Sequence, residues 1–156
     1  MEKIPSYLLN LAGEYRICSE LNKLGILATI TYGNHKGADV YAISDQHERA
    51  LKIEVKTSQR GNFVTNITRK GLADDPTAPD FWVLFQIHTE EFFVLTHEEI
   101  CRIQKERNDK YAQKFFARYG KQPPPGVDNV TIEDVNRKEF KNNWGKIKER
   151  LGTSPR

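Results

Sequence analysis

Residues 80–88, DFWVLFQIH, constrain the fold of this chain more than any other stretch. A short, nearly continuous apolar run bounded by polar residues reads as a central strand. It falls far short of the roughly 20 apolar residues a membrane-spanning helix needs. A central strand needs neighbours, and several β-branched segments supply them: ILATITY (26–32), ADVYAIS (38–44), ALKIEVKT (50–57) and FFVLT (92–96). GNHKG (33–37) and DQHE read as turns between them. Residues 58–80 hold Gly61, Gly71, Pro76 and Pro79, so they read mainly as loop, with a short strand around Phe63–Thr65.

Helices flank these strands. Residues 6–24 have helical apolar spacing, with Ser6 as the expected N-cap and Gly25 as the stop. Thr96 with Glu99 three residues on predicts a capping box, and the helix it opens runs to about Tyr119, where Gly120 ends it. KQPPPG (121–126) is a rigid spacer. Thr131, with Asp134, predicts a second N-cap before a helical piece over about 132–151. That piece carries Val135, Phe140, Trp144, Ile147 and Leu151, and TSPR frays at the end. The 156 residues suit one α/β or α+β domain with a mixed sheet.

Charge divides the chain. Residues 1–101 carry 10 Lys/Arg against 14 Asp/Glu, and residues 102–156 carry 14 against 7, so a net charge of +3 hides an acidic first part and a basic last third. An acidic part can hold a cation and a basic part can attract phosphate, although a solvated helical surface accounts for the basic excess equally well. The start, MEKIPSYLLNLAGEY, has no secretory apolar region and no small-residue cleavage site. Cys18 and Cys101 lie far apart in helical stretches, which fits reduced thiols. The expected location is the cytoplasm, with no membrane contact. The four histidines, His35, His47, His88 and His97, show no zinc-ligand spacing, and no phosphate-binding glycine loop is present.

Within LKIEVKT, Leu51, Ile53 and Val55 alternate with Lys52, Glu54 and Lys56, so Glu54 and Lys56 share a strand face. Asp39 opens the preceding strand, and a hairpin would bring it near that pair. Converging carboxylates repel unless a cation lies between them. With a lysine beside them they form the inventory for metal-assisted phosphodiester hydrolysis. A wet strand face with ordinary cross-strand ion pairs is the bland account of the same residues. Glu14 argues against it. On a helical wheel it falls inside the apolar arc of Leu11, Ile17, Cys18, Leu21 and Leu24, where a carboxylate is costly unless paired or metal-bound. Glu20 lies on the polar side with Arg16 and Lys23. Ser58, Gln59, Arg60, Arg69, Lys70 and Lys36 are candidate nucleic-acid contacts from loops near the strand. Strand-end capping and solvated loops are the alternatives.

GEYRICSELNKLG, GADVYA and LKIEVKTS, in that order, resemble the PD-(D/E)XK nuclease superfamily, with its restriction-endonuclease-like fold, and are similar to the layout of archaeal Holliday-junction resolvases and small stand-alone nucleases. The resemblance covers residues 6 to about 96. It implies a mixed β-sheet flanked by helices. The expected organisation is a nuclease core over 1–120 and a C-terminal helical extension of the same domain over 121–156. It implies that Asp39 and Glu54 hold a divalent metal, that Glu14 adds a ligand or supports one, that the Val55 carbonyl completes the coordination, and that Lys56 acts on the attacking water. Mg²⁺ is the expected metal, with Mn²⁺ able to substitute. DNA is the expected substrate, and a homodimer fits a fold whose small members pair two sites. The chain departs from the family pattern at Ala38-Asp39, where proline often precedes the aspartate. A catalytically inactive nucleic-acid-binding module of the same fold, or a structural or protein-interaction domain, are the alternative functions.

Overall fold

The computed structural model describes residues 2–31, 38–44 and 49–152. Lys36, the GNHKG and DQHE turns, His35, His47 and the terminal TSPR lie outside the described residues. The structure is organised around two parallel strands, β3 (Ala50–Ser58) and β5 (Phe81–Gln86), paired with Val55 opposite Val83. On one side, β2 (Val40–Ile43) and then β1 (Leu27–Ile30) add antiparallel to β3. On the other, β6 (Glu91–Thr96) adds antiparallel to β5. The order is β1-β2-β3-β5-β6. The crossover from β3 to β5 carries β4 (Asn62–Val64) and a 3-10 turn at Leu72–Asp74.

The apolar run of β5 is explained by its two faces. Phe81, Val83 and Phe85 enter one core with Ile53, Val55 and the Ile17, Cys18 and Leu21 side chains of α1 (Ser6–Lys23). Trp82 and Leu84 enter a second core with Phe93, Leu95, and Ile100 and Ile103 of α2 (His97–Tyr119). Helices cover both faces, which is the condition under which a strand reads as continuously apolar. The start of α2 is fixed as its sequence predicts. Glu99 N–H donates to Thr96 Oγ1 (3.2 Å), and Thr96 N–H donates to Glu99 Oε2 (2.8 Å). Gly120 ends it at φ 67°, a left-handed position where glycine is the least strained residue. No helix among the described residues is long and apolar enough to cross a membrane.

Three expectations are corrected. Ser6 does not cap α1: it is the first helical residue, with Pro5 in the cap position and no side-chain cap bond. The predicted continuous helix over 132–151 is two short ones, α3 (Ile132–Val135) and α4 (Gly145–Leu151), separated by a turn with Asn142 at φ 51°. They cannot be one helix, because Val135 and Phe140 enter the core under α2 while Ile147 and Leu151 enter the core under α1. Thr131 does precede a helix, and its N–H and hydroxyl both donate to Asp134 Oδ2 (2.8 and 3.0 Å). The third concerns Asn129–Thr131, which the sequence does not mark as a strand. It forms β7 and pairs antiparallel with β4.

Candidate active site

Glu54 and Lys56 project from the face of β3 opposite Ile53 and Val55, as the alternation requires. Lys56 Nζ donates to Glu54 Oε1, and both side chains are only partly exposed. The ammonium also lies 5.8 Å from the ring centroid of Trp82, the strand neighbour of Glu54 in β5. Trp82 is wholly buried, so it is a fixed wall against which the lysine packs. Sequence reasoning assigned Trp82 to the core only. The signal was the parallel register, which no local pattern carries.

Asp39 sits one residue before β2, beside the Ile53–Val55 stretch. Its N–H donates to Ile53 O (3.0 Å), and its Oδ2 accepts from Val55 N–H (2.7 Å). The carboxylate is therefore fixed next to Glu54. Burial and then the Glu54 charge push the Asp39 carboxyl above its usual range, against the opposing effects of the Val55 hydrogen bond, Lys56 and Lys70. Glu14 arrives from α1. Burial, then Asp39, then Glu54 push its carboxyl upward, and Lys56 opposes them. Three carboxylates from three separate elements thus feel one another, with Lys56 as their shared cation.

Helix α1 reaches this position through Gly13. A Cβ on Gly13 would lie 1.8 Å from Thr57 Oγ1, so only glycine lets the helix lie this close to β3. Ile17, Cys18 and Leu21 are buried as the wheel predicts, whereas Leu11 and Leu24 at its ends are 38% and 36% exposed. Cys18 is packed in the core, its thiol pushed up to about 11 by burial and the Glu14 charge. Glu20 pairs with Arg16 (3.1 Å) and Lys23 (2.8 Å) on the polar side.

The loop candidates separate into two groups. Ser58 is 6% exposed, and its hydroxyl accepts from Arg60 N–H (3.2 Å) and Asn62 N–H (3.1 Å), so it closes the end of β3 rather than facing a ligand. Gln59 ties down the N-terminal segment, accepting from Ile4 N–H (3.0 Å) and donating to Glu2 O (3.0 Å). Arg60, Arg69 and Lys70 are exposed. Lys70 is the one of these whose charge reaches Asp39. Buried Asp128, just before β7, holds its loop by accepting from Thr68 N–H (2.8 Å), Arg69 N–H (3.2 Å) and Asn108 Nδ2 (3.1 Å). Sequence reasoning missed Asp128 because its partners lie 20, 59 and 60 residues away.

The donor set is all oxygen and carries more negative than positive charge, which suits a hard divalent cation. Among the described residues, no three His, Cys, Asp or Glu side chains are gathered tightly enough to enclose an ion as they stand. The Glu54 carboxylate is turned to Lys56, and that of Asp39 to Val55 N–H.

No protein-family model and no curated protein matches the chain. Solved structures do. A bacterial homing endonuclease, I-Ssp6803I, superposes with a TM-score of 0.57 at 17% identity, over 96% of this chain and 96% of that one. The Holliday junction resolvase Hjc of Archaeoglobus fulgidus superposes with a TM-score of 0.52 at 13% identity, over 94% of this chain and 98% of that one. The chain has a restriction-endonuclease-like fold. The superpositions run through the C-terminal segment as well, beyond the first 96 residues that carry the sequence resemblance.

Proposed function

We propose that the protein is a metal-dependent endonuclease that hydrolyses phosphodiester bonds in DNA. One observation carries this: Glu14 feels the charges of Asp39 and Glu54, Asp39 that of Glu54, and both that of Lys56, in a fold shared with nucleases. Asp39, Glu54 and the Val55 carbonyl would hold Mg²⁺ or Mn²⁺, with Glu14 as a further ligand or a charge that orients one. When bound, the metal supplies Lewis-acid polarisation of the scissile phosphate and lowers the pKa of a coordinated water. Lys56, held between Glu54 and the Trp82 ring, positions the attacking water and offsets charge that develops on phosphate oxygens. The exposed Lys70, whose charge reaches Asp39, would add attraction for a phosphate. The structural similarity to a homing endonuclease and to a Holliday junction resolvase supports DNA as the substrate class.

The test is cleavage of plasmid, linear, single-stranded and branched DNA with Mg²⁺ or Mn²⁺, comparing wild type with folded Asp39→Ala and Lys56→Ala. Cleavage by wild type and its loss in both variants is the expected result. The Glu54–Lys56 ion pair favours one other reading, a binding module of the same fold in which the lysine neutralises the carboxylate. DNA binding without cleavage, and without metal binding by calorimetry, would establish that reading instead.

A further inference from the structure

The outer half of α2 leaves the body of the protein. Its last anchored side chains are Arg107, whose guanidinium donates to Asp134 (2.8 Å), and Asn108, which donates to Asp128 (3.1 Å). From Asp109 to Tyr119 no side chain is buried, over about 16 Å of helix at 1.5 Å per residue. Residues 110–121 contain Lys110, Lys114, Arg118 and Lys121 and no acidic residue. Steps of four place Lys110, Lys114 and Arg118 in one stripe and Tyr111, Phe115 and Tyr119 in the next. The rings pack along the helix in tilted pairs, with centroids 5.9 Å apart for Tyr111–Phe115 and 4.6 Å for Phe115–Tyr119. The Arg118 guanidinium lies 5.3 Å from the Tyr119 ring.

The ring ladder supports a helix that lacks tertiary packing, but it does not require Tyr111, Phe116 and Tyr119 to be 57%, 52% and 54% exposed. Nor does it account for the absence of acidic residues from 110 to 121. A glutamate four residues before Lys114 or Arg118 would stabilise the helix, as Glu106 can for Lys110, yet those places hold Lys110 and Lys114. A second copy packed by two-fold symmetry would set four uncompensated cations against four others, which Coulomb repulsion opposes. A polyanion meets no such cost. The first 101 residues, which carry the carboxylate site, have an excess of four negative charges and repel phosphate, so attraction must come from the last third of the chain.

We propose that residues 109–121 form a nucleic-acid-binding arm separate from the carboxylate site. The cationic stripe tracks phosphates, and the exposed tyrosine rings stack on unpaired bases. This goes beyond the nuclease assignment and concerns binding alone.

The test is fluorescence anisotropy of the full chain with a labelled single-stranded oligonucleotide and its duplex, across a salt series without divalent metal. The variants are K110Q/K114Q/R118Q and Y111A/Y119A, each checked by circular dichroism melting. Loss of three phosphate contacts is expected to flatten the log affinity–log salt slope for single strands by about 2 and weaken binding at low salt by roughly 10- to 100-fold. The tyrosine variant is expected to keep the slope and bind single strands about tenfold more weakly, with little effect on duplex. Folded variants that bind like wild type, while wild type binds and cuts DNA, overturn the arm and leave the nuclease assignment standing. Wild type that binds neither nucleic acid overturns both. A dimer seen by sedimentation that dissolves in Y111A/Y119A, with DNA affinity unchanged, makes the face a self-association surface and also overturns the arm.

Discussion

Replacing Gly13 by alanine sets two effects of known sign against each other. In an open helix the change stabilises by roughly 1 kcal/mol, because glycine loses more backbone entropy than alanine. Here the new Cβ would lie 1.8 Å from Thr57 Oγ1, 3.0 Å from its Cβ and 3.4 Å from its Cγ2. The first distance falls well inside van der Waals contact, so Thr57 must rotate or α1 must lift from β3. Overpacking of this kind typically costs about 1–3 kcal/mol and here outweighs the propensity gain. G13A is therefore expected to be less stable than wild type by about 1 kcal/mol in urea melts, net of that gain. Thr57→Ala removes the blocking oxygen, a buried hydroxyl that lacks a hydrogen-bond partner, and should by itself be nearly neutral. The double variant G13A/T57A should recover most of the loss, because the remaining contact is the 3.0 Å one to Cβ. The cycle then gives a favourable coupling of about 1–2 kcal/mol. Glu14 follows Gly13 directly, so DNA cleavage should fall in G13A and return in the double variant. A G13A protein as stable as wild type, or a loss that T57A leaves untouched, would refute this account of how α1 is seated.

Other perturbations test the site and its supports. Asp39 and Glu14 are held above their usual carboxyl range, so stability is greatest while both are protonated and falls as pH rises through their raised values. Asp39→Asn should flatten that slope in pH-dependent melts and raise the neutral-pH melting temperature, while abolishing cleavage. Saturating Mg²⁺ should stabilise wild type by about 2–3 kcal/mol at a hundredfold excess over its Kd and leave Asp39→Asn nearly unchanged, as read by calorimetry. Asp128→Ala removes three hydrogen bonds to a buried carboxylate and should cost about 3 kcal/mol in denaturant melts. Because it frees the loop of Lys70, it should also raise KM for DNA more than it lowers kcat. Gly61→Ala should destabilise by about 1–3 kcal/mol in the same melts, since Gly61 sits at φ 73° and the added Cβ would meet Ile132 Cγ1 at 2.3 Å.

The parts legible in the sequence were those set by local period and local capping. LKIEVKT, DFWVLFQIH and the Thr96–Glu99 box involve residues within a few positions of one another, and each forms as its pattern requires. The C-terminal segment was not legible for a physical reason. Phe140, Trp144, Ile147 and Leu151 are spaced like one helical face, yet Phe140 and Ile147 enter cores on opposite sides of the sheet. A periodicity count cannot tell which layer a residue will join. β7 is hidden for a similar reason: its partner, β4, lies 67 residues away where Asn62 meets Asn129. The same limit applies at the candidate site. Asp39, Glu54 and Lys56 could be picked out by spacing, but Trp82 beneath the lysine and Asp128 beneath the Lys70 loop arise only from pairings distant in sequence.

Glu14 shows how such a site can be found before its fold is known. An apolar stripe on α1 would have been stabilised by leucine at that position, and the sequence has a carboxylate instead. The structure makes the conflict sharper. Glu14 is partly withdrawn from water and faces the charges of Asp39 and Glu54, and both burial and repulsion disfavour its ionised form. Lys56 offsets only part of this, because Glu54 already holds its ammonium. A chain selected for stability alone would discard one of these acids. Asp39 and Glu54 gain a hydrogen bond and an ion pair in return, but the charge of Glu14 among them is a local cost, the pattern expected where charge is kept for chemistry. A divalent cation bound among them would offset the repulsion that Asp39 and Glu54 exert on Glu14.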